Sequence, residues 1–333
     1  MSRTETPMRR TSARLRLAGA MAVATAIATL GALTTAHGAT AETPAPESVT
    51  TLSVGTPTGF GAGTTGGAGG STVTVTNASQ FTEAVNRSGA LQVRVNGTIN
   101  LGSMTRVSSN KTIIGVGNNG RITGSGLNVR QASNVIIQNL TFTGSNDDAI
   151  NIEESTRIWV DHNTLSNAYD GLVDIKRGSD SITVSWNRVT NHDKTMLLGH
   201  SDSNGSQDRG KLRVSYHHNW YDGTKQRNPR VRFGNPVHVY NNYYGGVTSY
   251  GVASTVEAGV LVEGNYFENV RDPFHLGEGS SPGGSLVARN NHFVNSSTGQ
   301  TGGSVRSIPY SYSLDNPSSV KSIVMNGAGA GRI

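Results

Sequence analysis

Cysteine is absent from this chain of 333 residues. No disulfide can staple it, so its rigidity has to come from its own core, which a chain of this length can build. Charge is also sparse, at 15% of residues. The formal net charge of +6 is concentrated at one end. Residues 1–41 hold five arginines and one glutamate, which leaves 23 basic and 21 acidic residues over 42–333. A body so close to neutral lacks the strongly basic face that nucleic-acid binding requires. Long apolar runs are missing apart from Leu17–Leu33, which is rich in Ala and Thr and too short for a convincing membrane span. Arg9, Arg10, Arg14 and Arg16 precede that run, and Ala39-Thr40-Ala41 follows it. This is the layout of a secretory signal over residues 1–41. The protein is therefore expected outside the cell, free of membrane and nucleic acid, and as a monomer.

Glycine and asparagine are plentiful. Residues 42–70 are rich in Pro, Thr and Gly and read as a flexible or irregular entry segment. The remainder, 71–333, reads as one domain. Ser79 resembles the N-cap of a short helix around Gln80–Val85, suited to cover the open end of a β structure. From about residue 92, short β-prone runs recur, among them Val135–Phe142, Ile158–Leu165, Ile182–Val189, Leu212–Trp220, Val237–Tyr244, Val260–Phe267 and Leu286–Phe293. Asn139, Asn163, Asn187, Asn219, Asn242, Asn265 and Asn291 fall near the same place in each. A period of about two dozen residues, made of strands and turns without helices, predicts a parallel β-helix with one run of strands per rung. A buried amide repeated at one turn can bond the amides above and below it. Trp159, Trp186 and Trp220 sit within strand runs and read as packing residues. The last segment, from Ser313, reads as irregular chain lying back over the solenoid.

Rungs of such a solenoid stack ~4.8 Å apart. Residues at similar offsets from the repeated Asn then become neighbours. Asp148 lies nine residues past Asn139, Asp170 and Asp174 seven and eleven past Asn163, Lys194 seven past Asn187, and Arg227 eight past Asn219. Three carboxylates, a lysine and the cluster Arg227-Asn228-Pro229-Arg230-Val231-Arg232 thus fall on one side. Carboxylates without cysteine or a convincing histidine set are hard oxygen ligands that suit Ca²⁺. The arginine forks suit a carboxylate-bearing partner. A Ser-His-Asp triad from Ser201, His200 and Asp202 fails because adjacent side chains do not face one another. Asp147 and Asp148 fail as a glycosidase pair for the same reason.

These residues carry a resemblance. Asp148-Ala149-Ile150, Ile158-Trp159-Val160-Asp161-His162, Asp170-Gly171-Leu172-Val173-Asp174, His192-Asp193-Lys194, Gly199-His200-Ser201-Asp202-Ser203 and Arg227-Asn228-Pro229-Arg230-Val231-Arg232 occur in this order. The chain resembles the polysaccharide lyase family of the extracellular pectate lyases from about Gly66 to about Val294. The resemblance implies an all-β, right-handed single-stranded parallel β-helix. It implies Ca²⁺ held at Asp148, Asp170 and Asp174, Arg227 as catalytic base, and Lys194 and Arg232 on substrate carboxylates. Lys176 is a further implied substrate contact. Some members carry an Asp where this chain has Asn146.

The implied partner is an acidic polysaccharide, polygalacturonate or pectin. Its C5 hydrogen, α to the carboxylate, leaves only if the developing charge is stabilised. A guanidinium ordinarily stays protonated up to about pH 12. A base role for arginine therefore asks for neighbouring positive charge and implies an alkaline optimum. A hydroxide steered by Arg227 would give the same profile. Other readings remain: a pectin lyase on methyl-esterified polymer, a hydrolase of the same polymer, and a non-catalytic β-helix that only binds polysaccharide. Retention of all three aspartates, with aromatics at 6%, favours the charged substrate.

Overall fold

A computed structural model of the chain describes residues 55–333. The expected signal, 1–41, and the start of the entry segment lie outside these residues. Alternation of β-branched and aliphatic residues with polar ones makes short strands, and glycine or asparagine turns end each after a few residues. The strands form three sheets of ten, nine and eight, in which every paired strand is parallel to the strands of the rungs before and after it. The ten-stranded sheet runs from Ser71–Val75 to Ser285–Arg289, the nine-stranded from Thr98–Asn100 to His292–Val294, and the eight-stranded from Thr105–Arg106 to Phe274–Leu276. This is the right-handed parallel β-helix implied by the repeat and the resemblance. Among the described residues no helix is long and apolar enough to cross a membrane.

The inward side chains form columns. Ile113, Ile137, Val160, Val184, Tyr216, Val239 and Val262 pair in register along the ten-stranded sheet, all fully buried. On the nine-stranded sheet the column ends in aromatics. Tyr221, Tyr244, Phe267 and Phe293 stack with centroids 4.6, 4.5 and 5.4 Å apart. Asn163, Asn187, Asn219, Asn242, Asn265 and Asn291 form the expected amide ladder, each Nδ2 donating to the next Oδ1 at 3.0–3.1 Å. Asn139 is one residue out of register. Leu140 donates its N–H to Asn163 Oδ1, while Asn139 bonds the carbonyls of Gly115 and Gly117.

Helix α1, Ala78–Asn86, covers the N-terminal end with Phe81 and Val85 in the core. Its cap is Asn77, which accepts from the Gln80 N–H at 3.0 Å, not Ser79. The Gln80 side chain reaches back to the Thr76 N–H, so a reciprocal bond pair fixes the start earlier than a lone serine would. The glycine-rich run over 55–70 is irregular but not loose. It straps the outer face of the ten-stranded sheet, and the N–H groups of Phe60, Gly61 and Gly67 donate to Ser215, Thr183 and Thr112. At Gly67 a Cβ would lie 2.0 Å from the Leu91 carbonyl, so glycine serves close approach here rather than flexibility. The C-terminal segment lies back over the solenoid as expected and is irregular up to its last helical stretch. Asn316 caps a turn at Pro317–Ser319 that leads into the short helix Val320–Gly327. Val320 and Val324 of that helix pack with Tyr243, Trp220 and Tyr266 on the nine-stranded sheet. The three tryptophans are packing residues: Trp186 stacks between His162 and His218, Trp159 donates to Ser185, and Arg188 lies over Trp220.

Candidate active site on the eight-stranded sheet

Val173–Lys176 points Val173 and Ile175 into the core and so turns Asp174 and Lys176 outward. The strand Arg230–Arg232 does the same with buried Val231 between two outward arginines. Asp148, Asp170, Lys194 and Arg227 lie in the turns that lead into strands of this sheet. The long repeat step leaves an extra loop beside them, with the helical turn Gly205–Asp208 at its tip. Asp208 ties that loop down by accepting from the Gly178 N–H at 2.7 Å.

Two charged groups result. In the first, Lys176 Nζ sits 2.9 Å from Asp148 Oδ2 and 3.4 Å from Asp174 Oδ2. The other oxygens accept backbone N–H groups, Gly171 to Asp148 at 2.7 Å and Leu197 to Asp174 at 3.2 Å. Burial and the neighbouring Asp148 charge push Asp174 up to about 7. Burial likewise raises Asp148 against the opposing pull of Lys176. Burial works to lower Lys176, but the Asp174 and Asp148 charges prevail and raise it. In the second group, Lys194 Nζ lies 2.9 Å from Asp170 Oδ1. Burial opposes the Asp170 charge, yet the Lys194 bond and the Lys194 and Arg227 charges outweigh it and hold the carboxyl below its usual range. His192 Nε2 donates to the Asp170 carbonyl at 2.6 Å.

The expected residues are thus neighbours, though not a single column. Asp174 is in register with Asn151, and the N–H of Gly171, not of Asp170, meets Asp148. Lys176, expected at the substrate, is held between two carboxylates. Arg232, also expected there, is tied by Nε to Asp202 Oδ1 at 2.5 Å and by Nη1 to the Gly199 carbonyl. Among the described residues, Arg227 has no carboxylate partner in an ion pair, and its buried Nε has no hydrogen-bond partner. Its loop is fixed by Asn228, which accepts from Thr195 and Thr224 and donates to the Tyr250 carbonyl. Asn151 and Ser281 carry no signal in the sequence, and Asp202 stands there only as a rejected triad member and within a resemblance motif; all three join the site through register and long-range contacts. His200 bonds Arg177, and Asp202 bonds Arg232, so no triad exists there.

Among the described residues, no three acidic or histidine groups close a ready-made metal cage. The donor chemistry nevertheless fits Ca²⁺: three carboxylates lie on adjacent rungs, and two of them are raised by burial, Asp174 also by the charge of Asp148. A hard divalent cation relieves that surplus of negative charge.

Comparison with known proteins bears on the same stretch. A family model described as pectate lyase matches residues 47–333. A pectate trisaccharide-lyase of Bacillus licheniformis is 42% identical over 293 residues, covering 81% of this chain and 84% of its own. Pectate lyase A of Emericella nidulans is 41% identical, covering 80% and 83%. Among solved structures, the pectate lyase Bsp165PelA from Bacillus sp. N165, in complex with trigalacturonate, superposes with a TM-score of 0.78 at 34% identity. That match covers 83% of this chain and 99% of the other.

Proposed function

The chain belongs to the pectate lyase family, and from that premise we propose that it is a secreted, Ca²⁺-dependent lyase of (1,4)-α-D-galacturonan. It cuts by β-elimination and releases 4,5-unsaturated oligogalacturonides. The observation that carries this reading is the juxtaposition of the Asp148–Lys176–Asp174 knot with the Asp170–Lys194 pair, beside an arginine that has no carboxylate of its own.

Asp148, Asp170 and Asp174 would hold the cation, which when bound supplies positive charge to the substrate carboxylate. Lys194 keeps donor capacity beyond its bond to Asp170 and binds that same carboxylate. Negative charge developing at C5 is thereby stabilised. A guanidine nitrogen of Arg227 takes the C5 proton. The electron pair forms the C4–C5 double bond, the C4–O bond breaks, and the expelled oxygen takes a proton from solvent. No water is consumed, in contrast to hydrolysis, which needs an acid and a base across the bond.

The test is ultraviolet absorbance of the unsaturated end on polygalacturonate, across pH, with chelator and with Ca²⁺ restored. Absorbance should rise at alkaline pH, vanish with chelator and return with Ca²⁺. Arg227→Lys should lose turnover by at least ~10²-fold, the usual worth of a proton-transfer group, with a much smaller change in KM. Oligosaccharides released without absorbance would mean hydrolysis, and no release at all would mean a binding protein. A preference for methyl-esterified polymer without Ca²⁺ would make it a pectin lyase.

A further inference from the structure

Arg230 is the one member of the arginine trio to which the resemblance assigns no role. It points outward from the same strand as Arg232 and stands in register with Leu197, whose N–H bonds Asp174. At ~4.8 Å per rung, that places it roughly two rungs beyond Asp174 along the face that carries the site. Its surroundings are unusual for an arginine. Nη2 donates to the Ser281 hydroxyl at 2.7 Å and to the Glu278 carbonyl at 3.2 Å. Among the described residues, its buried Nε has no hydrogen-bond partner and no carboxylate forms an ion pair with it. Burial, then the charges of Arg232 and Arg227, hold its guanidinium below the ordinary arginine range. The Glu278 charge pulls the other way without forming an ion pair, and a half-buried guanidinium pressed by two others with no carboxylate bonded to it is a place prepared for one.

A relay of bonds keeps it there. Glu278 and Ser281 close a tight turn by bonding each other's backbone. The Ser281 hydroxyl accepts from Arg230 and donates to Asp202 Oδ2 at 2.6 Å. Asp202 Oδ1 in turn accepts from Arg232 Nε. The order Arg230–Ser281–Asp202–Arg232 bonds the Asp202 carboxylate directly to Arg232 and gives Arg230 a hydroxyl and a carbonyl instead. One arginine is therefore paired with a carboxylate, and its neighbour is oriented with no carboxylate bonded to it.

We propose that Arg230 forms a second carboxylate-binding subsite, which takes the carboxylate of a galacturonate unit next to the one at the scissile bond, with Ser281 as its positioning residue. The proposal rests on the galacturonan reading above and names a recognition element within it. A neutral sugar or a methyl ester would leave the guanidinium unmatched, so the subsite selects for consecutive free carboxylates.

Calorimetric binding of trigalacturonate and of a longer galacturonate oligomer, together with KM and kcat on polygalacturonates of increasing methyl esterification, tests it. Arg230→Gln should weaken binding by about ten- to hundredfold, the range for a hydrogen-bonded charge, and carry its kinetic loss in KM. The gap between wild type and variant should close as esterification removes free carboxylates. Arg230→Lys should recover part of the affinity, and Ser281→Ala should lose an intermediate amount. An unchanged dissociation constant in Arg230→Gln, or an equal loss at every degree of esterification, overturns the subsite. Should Arg230→Gln fail to fold, Arg230→Lys and Ser281→Ala with full affinity would overturn it equally. If wild type binds the oligomers and Arg230→Gln does not, yet no unsaturated ends form, the subsite stands and the lyase reading falls.

Discussion

At Gly171 an added Cβ would lie 2.1 Å from Asp174 Oδ1 and 3.0 Å from Asp148 Oδ1. Only a residue without a side chain lets the two carboxylates close around Lys176, and its N–H is itself a bond donor to Asp148. Gly171→Ala should therefore push Asp174 aside while leaving the buried column beneath intact. We expect calcium affinity to fall by on the order of tenfold or more, as for other residues that orient metal ligands, with a melting temperature close to wild type. Ca²⁺ titration followed by product absorbance checks this, and an unchanged midpoint would refute it. At this scale the sequence was partly informative. Asp148, Asp170, Asp174, Lys194 and Arg227 could be placed on one side because each lies at a similar distance from a repeated asparagine. The pairing of Lys176 with two carboxylates was not legible, because it depends on which oxygen each lysine reaches. Ser281 is invisible for a related reason: it meets Asp202 across 79 residues, and nothing in a serine announces that it will bridge an arginine to an aspartate.

A strand only a few residues long buries little, so each rung depends on its neighbours above and below. The amide ladder shows how. Asn219 accepts from the N–H and Nδ2 of Asn187 and donates to the Val184 carbonyl and Asn242 Oδ1. Truncation leaves several buried polar groups unmatched, each worth about 1–3 kcal/mol. Asn291, at the end of the ladder, accepts from Asn265 and donates to the Val262 carbonyl alone. Asn219→Ala should thus cost about 3 kcal/mol or more and Asn291→Ala distinctly less. Denaturant unfolding of the two variants measures the difference, and equal losses would mean the ladder does not act as a chain. The repeat itself was plain in sequence, and so was the fold, since the asparagine period fixes rung length. The misplaced Asn139 shows the limit. A period of about two dozen residues cannot separate adjacent positions, and register was decided by Leu140 entering the core in place of an amide. The helix start was misplaced because Asn77 and Ser79 are about equally good caps by residue type, and only the Gln80 bonds choose between them.

With no cysteine to hold it, the whole molecule depends on stacked sheets and on polar groups locked in one protonation state, which makes acid its natural weakness. His217 is buried between Thr58 and His218, with partners at 2.9 and 2.8 Å. Burial, and then the His218 and His238 charges, push it well below the usual histidine range. In the unfolded chain the same imidazole takes a proton near pH 6.5. Below that pH the unfolded state binds the extra proton, so stability falls as pH falls, by up to about 1.4 kcal/mol per pH unit for one proton. Glu263 adds a second, lower window. Burial disfavours its charge, but hydrogen bonds from His238, Arg289 and Tyr312 prevail and bring it down to about 2. Its contribution is present above about pH 4.5, its unfolded value, and is lost as pH drops toward about 2. His275 works the other way. Burial opposes its charge, yet Asp272 and Glu278 raise it, so its contribution is full below about pH 6.5 and is lost only as pH rises through its folded value. His238 and His200, also lowered with burial as the first cause, add to the loss below neutrality, Asp174, raised to about 7, works with His275 against it, and Glu263 adds to the loss under stronger acid. Denaturant midpoints measured from pH 9 to 3 should fall gently below about 6.5 and more steeply below about 4.5. In His217→Gln, which cannot take the proton, the fall between about pH 6.5 and 5 should become shallower than in wild type. A variant curve parallel to wild type through that interval would show that His217 does not set the upper limb.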